Sequence, residues 1–184
     1  INFPAIDTVD NDLYMATGEA ASLACAMDRL KGECLIAYGD ILFRHHILDQ
    51  LFATEGDIVV TVDALWRERQ SDAKNWVRDF AECTRPFSPT YLDDAPSFLK
   101  GISSSLPADR INGEWMGLAK LSARGAALVV EALQAMRAAG TLARAGLPEM
   151  FTRMAERGTP IRVLYVAGQW LDVDDAADLA RAGM

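Results

Sequence analysis

The chain has 184 residues, and 18 Lys and Arg against 26 Asp and Glu give a formal net charge of -8. With 51% hydrophobic and 24% charged residues, the composition is that of a globular domain and argues against wholesale disorder. The acidic balance also argues against a nucleic-acid or anionic-membrane surface, because such surfaces concentrate Lys and Arg. No apolar run reaches the roughly 18 residues that a membrane-spanning helix needs.

The cysteines and the N-terminus indicate the compartment. Cys25, Cys34 and Cys83 form an odd set without a close pair, which is typical of neither a disulfide framework nor a zinc site. No secretory signal opens the chain, so we expect a cytoplasmic protein. The first four residues, Ile-Asn-Phe-Pro, read like the middle of a domain, and we expect that the sequence lacks the N-terminal part of a longer chain.

Helices and strands alternate along the first sixty residues. Apolar residues at helical spacing predict a helix over 18–30. The apolar run 34–38, closed by Gly39-Asp40, predicts a buried strand, and a second helix is expected over 46–52. The run 58–62 consists of β-branched aliphatics and a Thr, which makes it the strongest strand prediction in the chain.

The same alternation returns after an irregular middle. Pro and Ser residues between 63 and 112 predict loops and short strands there. The elements expected after it are a strand over 115–121, a helix capped by Ser122 that reaches about residue 139, a helix over 147–156, a strand over 161–166 and a last helix over 175–182. Such alternation is typical of an α/β fold with a mainly parallel sheet covered on both faces.

Candidate site residues follow the predicted strands, because ligands of open α/β sheets lie beyond the carboxyl ends of the strands. Asp40 comes directly after Gly39, where a carboxylate either binds a hard cation such as Mg²⁺ or forms an ordinary turn. Asp172 and Asp174 would share one face of an extended segment, and neighbouring carboxylates repel unless a cation or a donor lies between them. Asp174 or Asp175 also fits the N-cap of the last helix.

A third candidate is the turn and strand start at 112–117. Glu114 could accept hydrogen bonds from substrate hydroxyls or from an ammonium group, and Trp115 is interpreted equally well as a ring face for a cation or as core. No Walker loop and no Gly-x-Gly-x-x-Gly motif occurs, so neither an ATPase nor a dinucleotide dehydrogenase is indicated.

Four segments occur in an order and at an approximate spacing that resemble one enzyme family. They are IAYGDILF at 36–43, DIVVTVD at 57–63, GEWMGLA at 113–119 and GQWLDVD at 168–174. Together they resemble the nucleotidyltransferases, a family with sugar-1-phosphate nucleotidyltransferases and with cytidylyltransferases that act on phosphocholine and on phosphonates. The first segment and VDALW at 62–66 look most like cytidylyltransferase domains of phosphonate biosynthesis, including those fused to phosphoenolpyruvate mutase.

This resemblance implies a Rossmann-like mixed sheet of the nucleotide-diphospho-sugar transferase type and a Mg²⁺-dependent reaction. In that reaction a phosphate or phosphonate oxygen attacks the α-phosphorus of a nucleoside triphosphate and releases pyrophosphate. Asp40 and Asp174 match the family's two metal-binding aspartates.

The resemblance also implies where the acceptor binds. Gly113 and Glu114 fall where the family's Gly-Glu pair contacts the acceptor, and Asp172 falls where choline-type members place a carboxylate near the ammonium group. Aromatic faces for such a cation could come from Tyr14, Trp66 and Trp115.

The leading hypothesis is a single domain, 1–184, that transfers CMP from CTP to a small phosphonate or phosphocholine-like acceptor. A sugar-1-phosphate nucleotidyltransferase is the second hypothesis. The third is a non-catalytic nucleotide-binding or regulatory domain, because the family's N-terminal Gly-rich triphosphate loop has no counterpart in this sequence. Homo-oligomers and a fused phosphoenolpyruvate mutase-like domain are the protein partners considered, while the acceptor, the base and the oligomeric state are left open.

Overall fold

The structure, a computed structural model, describes residues 6–68, 77–90, 92–173 and 175–183. Asp174, one of the two predicted metal-binding aspartates, lies outside the described residues. The strands are β1 (Cys34–Ala37), β2 (Ile41–Phe43), β3 (Ile58–Asp63), β4 (Phe80–Cys83), β5 (Ser97–Ser103), β6 (Gly113–Leu121), β7 (Arg162–Val166) and β8 (Trp170–Asp172). The α-helices are α1 (Glu19–Cys25), α2 (His45–Ala53), α3 (Ala123–Ala138), α4 (Leu147–Glu156) and α5 (Ala176–Ala182).

Six strands form one mixed sheet in the order β1-β6-β3-β7-β5-β4, and β4 also pairs with β6. The α/β class and the mixed sheet are confirmed. The sheet is mainly antiparallel, however, and not mainly parallel as expected. Among the described strands, β3 and β7 pair in parallel, whereas the other pairings of the sheet are antiparallel. The reason is that β6 follows β5 through a loop without a helix and enters between β1 and β3, antiparallel to both.

Strand β3 forms the centre of a layered core. All six of its residues are buried, as expected for a strand covered on both faces. Ile58, Val60 and Val62 pack in the cluster that holds the apolar faces of α1, α3 and α4, while Val59 packs on the opposite face with residues of α2. The alternation follows from the two-residue period of a strand.

Helix α3 begins as predicted at a Ser122 cap. The Ser122 Oγ accepts a hydrogen bond from the Gly125 N–H at 3.0 Å and donates one to Asp57 Oδ1 at 2.7 Å. A Cβ on Gly125 would lie 1.9 Å from the Asp57 carbonyl oxygen. Only glycine therefore allows the first turn of α3 to approach the start of β3 so closely.

Helix α4 takes the place of a strand beside part of β5. Strand β5 pairs with β7 at Ser97 and Phe98, and beyond them the α4 side chain Thr152 covers the backbone of β5. Its hydroxyl accepts the Ile102 N–H at 2.8 Å and lies 3.1 Å from the Ile102 carbonyl oxygen. Gly101 leaves room for this contact, because a Cβ there would lie 3.2 Å from the Thr152 methyl group.

The remaining helices differ little from expectation. Helix α4 has the predicted bounds, and α2 exceeds its predicted range by one residue at each end. The helix expected over 18–30 ends at Cys25 and is followed by a 3₁₀ turn at Met27–Arg29, where Arg29 forms an ion pair with Asp7. Within the described ranges, no helix is both long enough and apolar enough to cross a membrane.

Candidate functional site

A cavity of about 680 Å³ opens at the carboxyl end of β1, between the start of β6, the end of β5 and the first turns of α4. Its position agrees with the rule that ligands bind beyond strand ends in α/β sheets. We call it the acidic cavity because, among the residues that the structure describes, its lining holds six carboxylates and no Lys or Arg side chain. The six are Glu19, Asp40, Asp79, Glu114, Glu149 and Asp172.

A two-stranded ribbon of β2 and β8 brings two predicted site residues to this cavity. The strands are antiparallel, with Ile41 opposite Asp172 and Phe43 opposite Trp170. The Val173 N–H donates to the Asp40 carbonyl oxygen at 2.9 Å. Asp40, directly before β2, and Asp172, at the end of β8, are distant in sequence but therefore lie close together at the edge of one cavity.

The ribbon supplies oxygen donors of the kind that Mg²⁺ prefers. Magnesium is usually held by one or two carboxylates and completes its octahedron with water and substrate phosphates. The carboxylates of Asp40 and Asp172 fit this donor chemistry. Among the residues that the structure describes, no group of three or more His, Cys, Asp or Glu forms a complete metal cage.

Glu114, which the resemblance places in contact with the acceptor, lies on the wall of the acidic cavity, and its carboxylate is bound by a residue that the sequence did not indicate. Its exposed fraction is 3%, and the Arg78 guanidinium forms an ion pair with it. The same guanidinium donates to the Trp66 carbonyl oxygen and lies near the Trp66 and Phe80 rings. This pairing compensates the cost of burying the Glu114 charge.

Trp115 is a core residue with one side on the cavity. It is 2% exposed, and its indole N–H donates to the Leu118 carbonyl oxygen at 3.2 Å. Its ring makes edge contacts with Tyr38 and Phe151, with centroid distances of 5.3 Å and 5.6 Å. Of the two interpretations left open by the sequence, the structure therefore supports the core role more strongly.

Tyr38 is a half-buried aromatic residue of the cavity wall, as is Trp170, and sequence reasoning did not assign Tyr38 to the site. The pKa of its hydroxyl is raised, first by burial and then by the negative charges of Asp79, Glu19, Asp40 and Asp172. Its position directly before Gly39 and Asp40 could have indicated a site residue, but an aromatic residue at a strand end is equally typical of the core.

Three predicted binding residues do not line the acidic cavity. Tyr14 lies in a 3₁₀ turn and is 67% exposed. Trp66 packs against Phe80 at 5.2 Å and shelters Arg78. Gly113 allows β6 to approach the end of β3, because a Cβ there would lie 2.3 Å from a Val62 methyl carbon.

Asp79 is a second residue that the sequence did not indicate. It lies in the irregular segment before β4 and lines the acidic cavity. Burial raises the pKa of its carboxyl to about 6, and the charges of Glu19, Glu114 and Asp172 contribute in the same direction. Burial and, after it, the neighbouring negative charges thus disfavour ionisation of one of the cavity's own groups.

This raised pKa predicts a pH-dependent gain in stability from Asp79→Asn. In the unfolded chain Asp79 ionises near 3.8, and in the folded protein near 6. Its charge therefore penalises folding fully above the folded pKa, and the penalty disappears as the pH falls below the unfolded pKa. We expect the variant to raise Tm by about 2–4 °C at about pH 8, which corresponds to roughly 1 kcal/mol, and most of the gain to be lost near pH 4.

Calorimetry of the variant and the parent at both pH values measures this effect. Asp109→Asn is the control, since Asp109 is exposed on a loop and should leave Tm unchanged at either pH. An equal gain from Asp79→Asn at both pH values would contradict the assignment, because a charge penalty must titrate.

Comparison with known proteins shows the fold. No family model and no curated protein matches the sequence. Among solved structures, the inositol-1-phosphate CTP transferase from T. maritima superposes with a TM-score of 0.64 at 15% identity, over 91% of this chain and 60% of that one.

Two further matches extend the comparison. The CTP:phosphocholine cytidylyltransferase from Streptococcus pneumoniae gives a TM-score of 0.59 at 15% identity, over 94% of this chain and 65% of that one. A UTP-bound UGPase from Acinetobacter baumannii gives 0.60 at 13% identity, over 90% and 54%. The chain spans less than two thirds of the length of each of these three structures. The chain has the α/β fold of these nucleotidyltransferases, that of the nucleotide-diphospho-sugar transferase type.

Proposed function

We propose that the protein is a nucleotidyltransferase that transfers CMP from CTP to a small phosphonate or phosphocholine-like acceptor and releases pyrophosphate. The fold supports nucleotidyl transfer, because the most similar structures include a CTP transferase and a phosphocholine cytidylyltransferase. The observation that carries the acceptor class is the acidic cavity, with its six carboxylates and the Tyr38 ring.

The charge of the cavity favours an acceptor with a cationic end. Neighbouring carboxylates repel one another unless a cation lies between them, and that repulsion adds to burial, the main cause, in raising the pKa of Asp79. An ammonium group would relieve it and could also contact the face of Tyr38. A neutral sugar offers hydroxyl groups alone, so the cavity favours an aminophosphonate or phosphocholine over a sugar-1-phosphate.

Mg²⁺ fits the ribbon, with Asp40 and Asp172 beside it and Asp174 as the second predicted ligand. When bound, it would neutralise the triphosphate charge and the charge that develops during transfer. The residues of the chain orient the reactants. Asp40 would hold the metal together with Asp174. Asp172, Asp79 and Tyr38 would contact the cationic end of the acceptor, and the Arg78–Glu114 pair forms part of the wall.

The proposed reaction requires no nucleophile from the protein. An acceptor phosphate or phosphonate oxygen forms a bond to the α-phosphorus of CTP, and the bond from that phosphorus to the bridging oxygen of pyrophosphate breaks. Phosphoryl transfers of this kind depend mainly on positioning and charge neutralisation.

Pyrophosphate release by the full-length protein with Mg²⁺ tests the proposal. Each of the four common triphosphates is combined with aminoethylphosphonate, hydroxyethylphosphonate, phosphocholine or a sugar-1-phosphate. We expect CTP-dependent release, with kcat/KM for aminoethylphosphonate about tenfold or more above that for hydroxyethylphosphonate, because the two differ in the ammonium group.

Aminoethylphosphonate and hydroxyethylphosphonate are a matched pair, so the ratio of their kcat/KM values measures the contribution of the ammonium group. Asp79→Asn should reduce that ratio without abolishing release. Equal rates for the two phosphonates would refute the cationic acceptor, release with the sugar phosphate alone would make the protein a sugar-1-phosphate nucleotidyltransferase, and no release with any combination would favour a non-catalytic binding domain.

A further inference from the structure

Asp63, the last residue of β3, is a fully buried carboxylate at the junction of the main sheet and the ribbon. Its exposed fraction is 0%. Its backbone pairs with Glu114 of β6 on one side and with Val166 of β7 on the other. A charged group at such a place is stable only when its oxygens accept several hydrogen bonds.

Three N–H groups satisfy this carboxylate. Oδ1 accepts the Leu65 and Gly168 backbone N–H groups, both at 2.9 Å. Oδ2 accepts the Trp170 indole N–H, also at 2.9 Å. Two of the donors belong to the segment that leads from β7 into β8, so Asp63 joins the end of β3 to the start of the ribbon.

The segment that Asp63 binds is strained. Gly168 and Gln169 have φ angles of 63° and 64°, so two successive residues lie in the left-handed region. For a residue with a Cβ such as Gln169, this conformation is strained, because the Cβ comes too close to the following carbonyl oxygen. The bond from Gly168 N–H to Asp63 and the bond from Arg44 N–H to the Gln169 carbonyl oxygen at 3.1 Å hold the turn in place.

The turn determines where β8 lies, and β8 carries Asp172 and pairs with β2, which begins directly after Asp40. We propose that Asp63 is a positioning residue that sets the location of the ribbon and thereby the placement of Asp40 and Asp172. The inference that Asp63 positions the ribbon does not depend on any activity. The inference that Asp63 affects catalysis rests on the nucleotidyltransferase function proposed above.

Asp63→Asn tests the proposal with a change of almost no volume. The amide oxygen of asparagine can keep the two backbone bonds, but its NH₂ group then faces the Trp170 indole N–H, so two donors oppose each other. We expect the indole N–H resonance of Trp170 to move upfield and the ribbon amides to exchange faster with solvent. In the active protein, we expect kcat to fall about 10–100-fold and the Mg²⁺ concentration for half-maximal rate to rise, as for other residues that orient metal ligands.

The matched control is Asp57→Asn, at the opposite end of β3. Asp57 accepts a bond from Ser122 at the start of α3, so the variant should weaken that cap while leaving the Trp170 resonance and the Mg²⁺ dependence unchanged. The Trp170→Phe variant assigns the indole resonance. Circular dichroism of each variant verifies that the main sheet is folded.

The readouts separate this inference from the proposed function. An unchanged Trp170 resonance and unchanged ribbon exchange in Asp63→Asn would overturn it, whatever the activity. Normal kcat and Mg²⁺ dependence in an active protein would overturn its catalytic part. If the parent shows no transfer, the proposed function fails, and the resonance and the exchange rates still decide whether Asp63 positions the ribbon.

Discussion

Replacing Asp40 by asparagine is expected to lower Mg²⁺- and CTP-dependent pyrophosphate release at least about a hundredfold, because a metal's stabilisation of transition-state charge is worth several kcal/mol. The variant should fold normally. Asp40 is exposed, and the hydrogen bond that ties it to Val173 uses its carbonyl oxygen and not its side chain. Steady-state rates at several Mg²⁺ concentrations measure the loss, and excess Mg²⁺ should restore little of it.

Asp49→Asn is the matched control for this prediction. Asp49 is an exposed carboxylate on α2 that pairs with His45, so its loss should leave the rate unchanged. Asp174→Asn should resemble Asp40→Asn, as the family resemblance implies. Near-normal turnover of both Asp40→Asn and Asp174→Asn would refute the metal assignment.

Replacing Gly117 by alanine is expected to destabilise the fold by about 2–4 kcal/mol. Gly117 has a φ of 76°, and a Cβ there would lie 2.3 Å from Cδ2 of Tyr38. The substitution therefore combines left-handed strain with a clash against a ring of the cavity wall. Denaturant unfolding measures the cost, and the near-UV circular dichroism of the Tyr38–Trp115 contact should weaken in parallel.

Gly158→Ala separates the two contributions. Gly158 also has a positive φ, 86°, but no atom lies within 4 Å of its ideal Cβ. It should lose about 1 kcal/mol from backbone strain alone. If Gly117→Ala costs no more than Gly158→Ala, the close contact between Gly117 and Tyr38 does not restrict the fold.

The elements of the fold were predictable where the local pattern was strong. The helix at 147–156 and the cap at Ser122 agree with the structure, because helical spacing and capping are local properties. The direction of β6 was not predictable. The direction depends on the two strands between which β6 inserts, and the sequence of β6 itself does not indicate which strands these are.

The site was predictable in its strand-end residues and not in their partners. Asp40, Glu114 and Asp172 were identified, and all three line the acidic cavity. Arg78 and Asp79 were missed because they lie in an irregular segment, where neither periodicity nor a motif distinguishes them. Asp63 belongs to the segment 57–63 that carries the family resemblance. Its role was not predicted, because a polar residue at the end of a strand is usually the start of a loop.

The contact between Thr152 and β5 has a consequence for association between molecules. Past Phe98, the Ile102 N–H and C=O groups of β5 would present an open strand edge, and such edges attract strands of other chains. The Thr152 hydroxyl accepts the Ile102 N–H, and its own proton has two acceptors within reach, the Pro148 carbonyl oxygen at 2.8 Å and the Ile102 carbonyl oxygen at 3.1 Å. Helix α4 therefore covers this part of the β5 edge and keeps a strand of another chain from pairing there. At the same place Ile102, Ser103 and Thr152 form part of the wall of the acidic cavity.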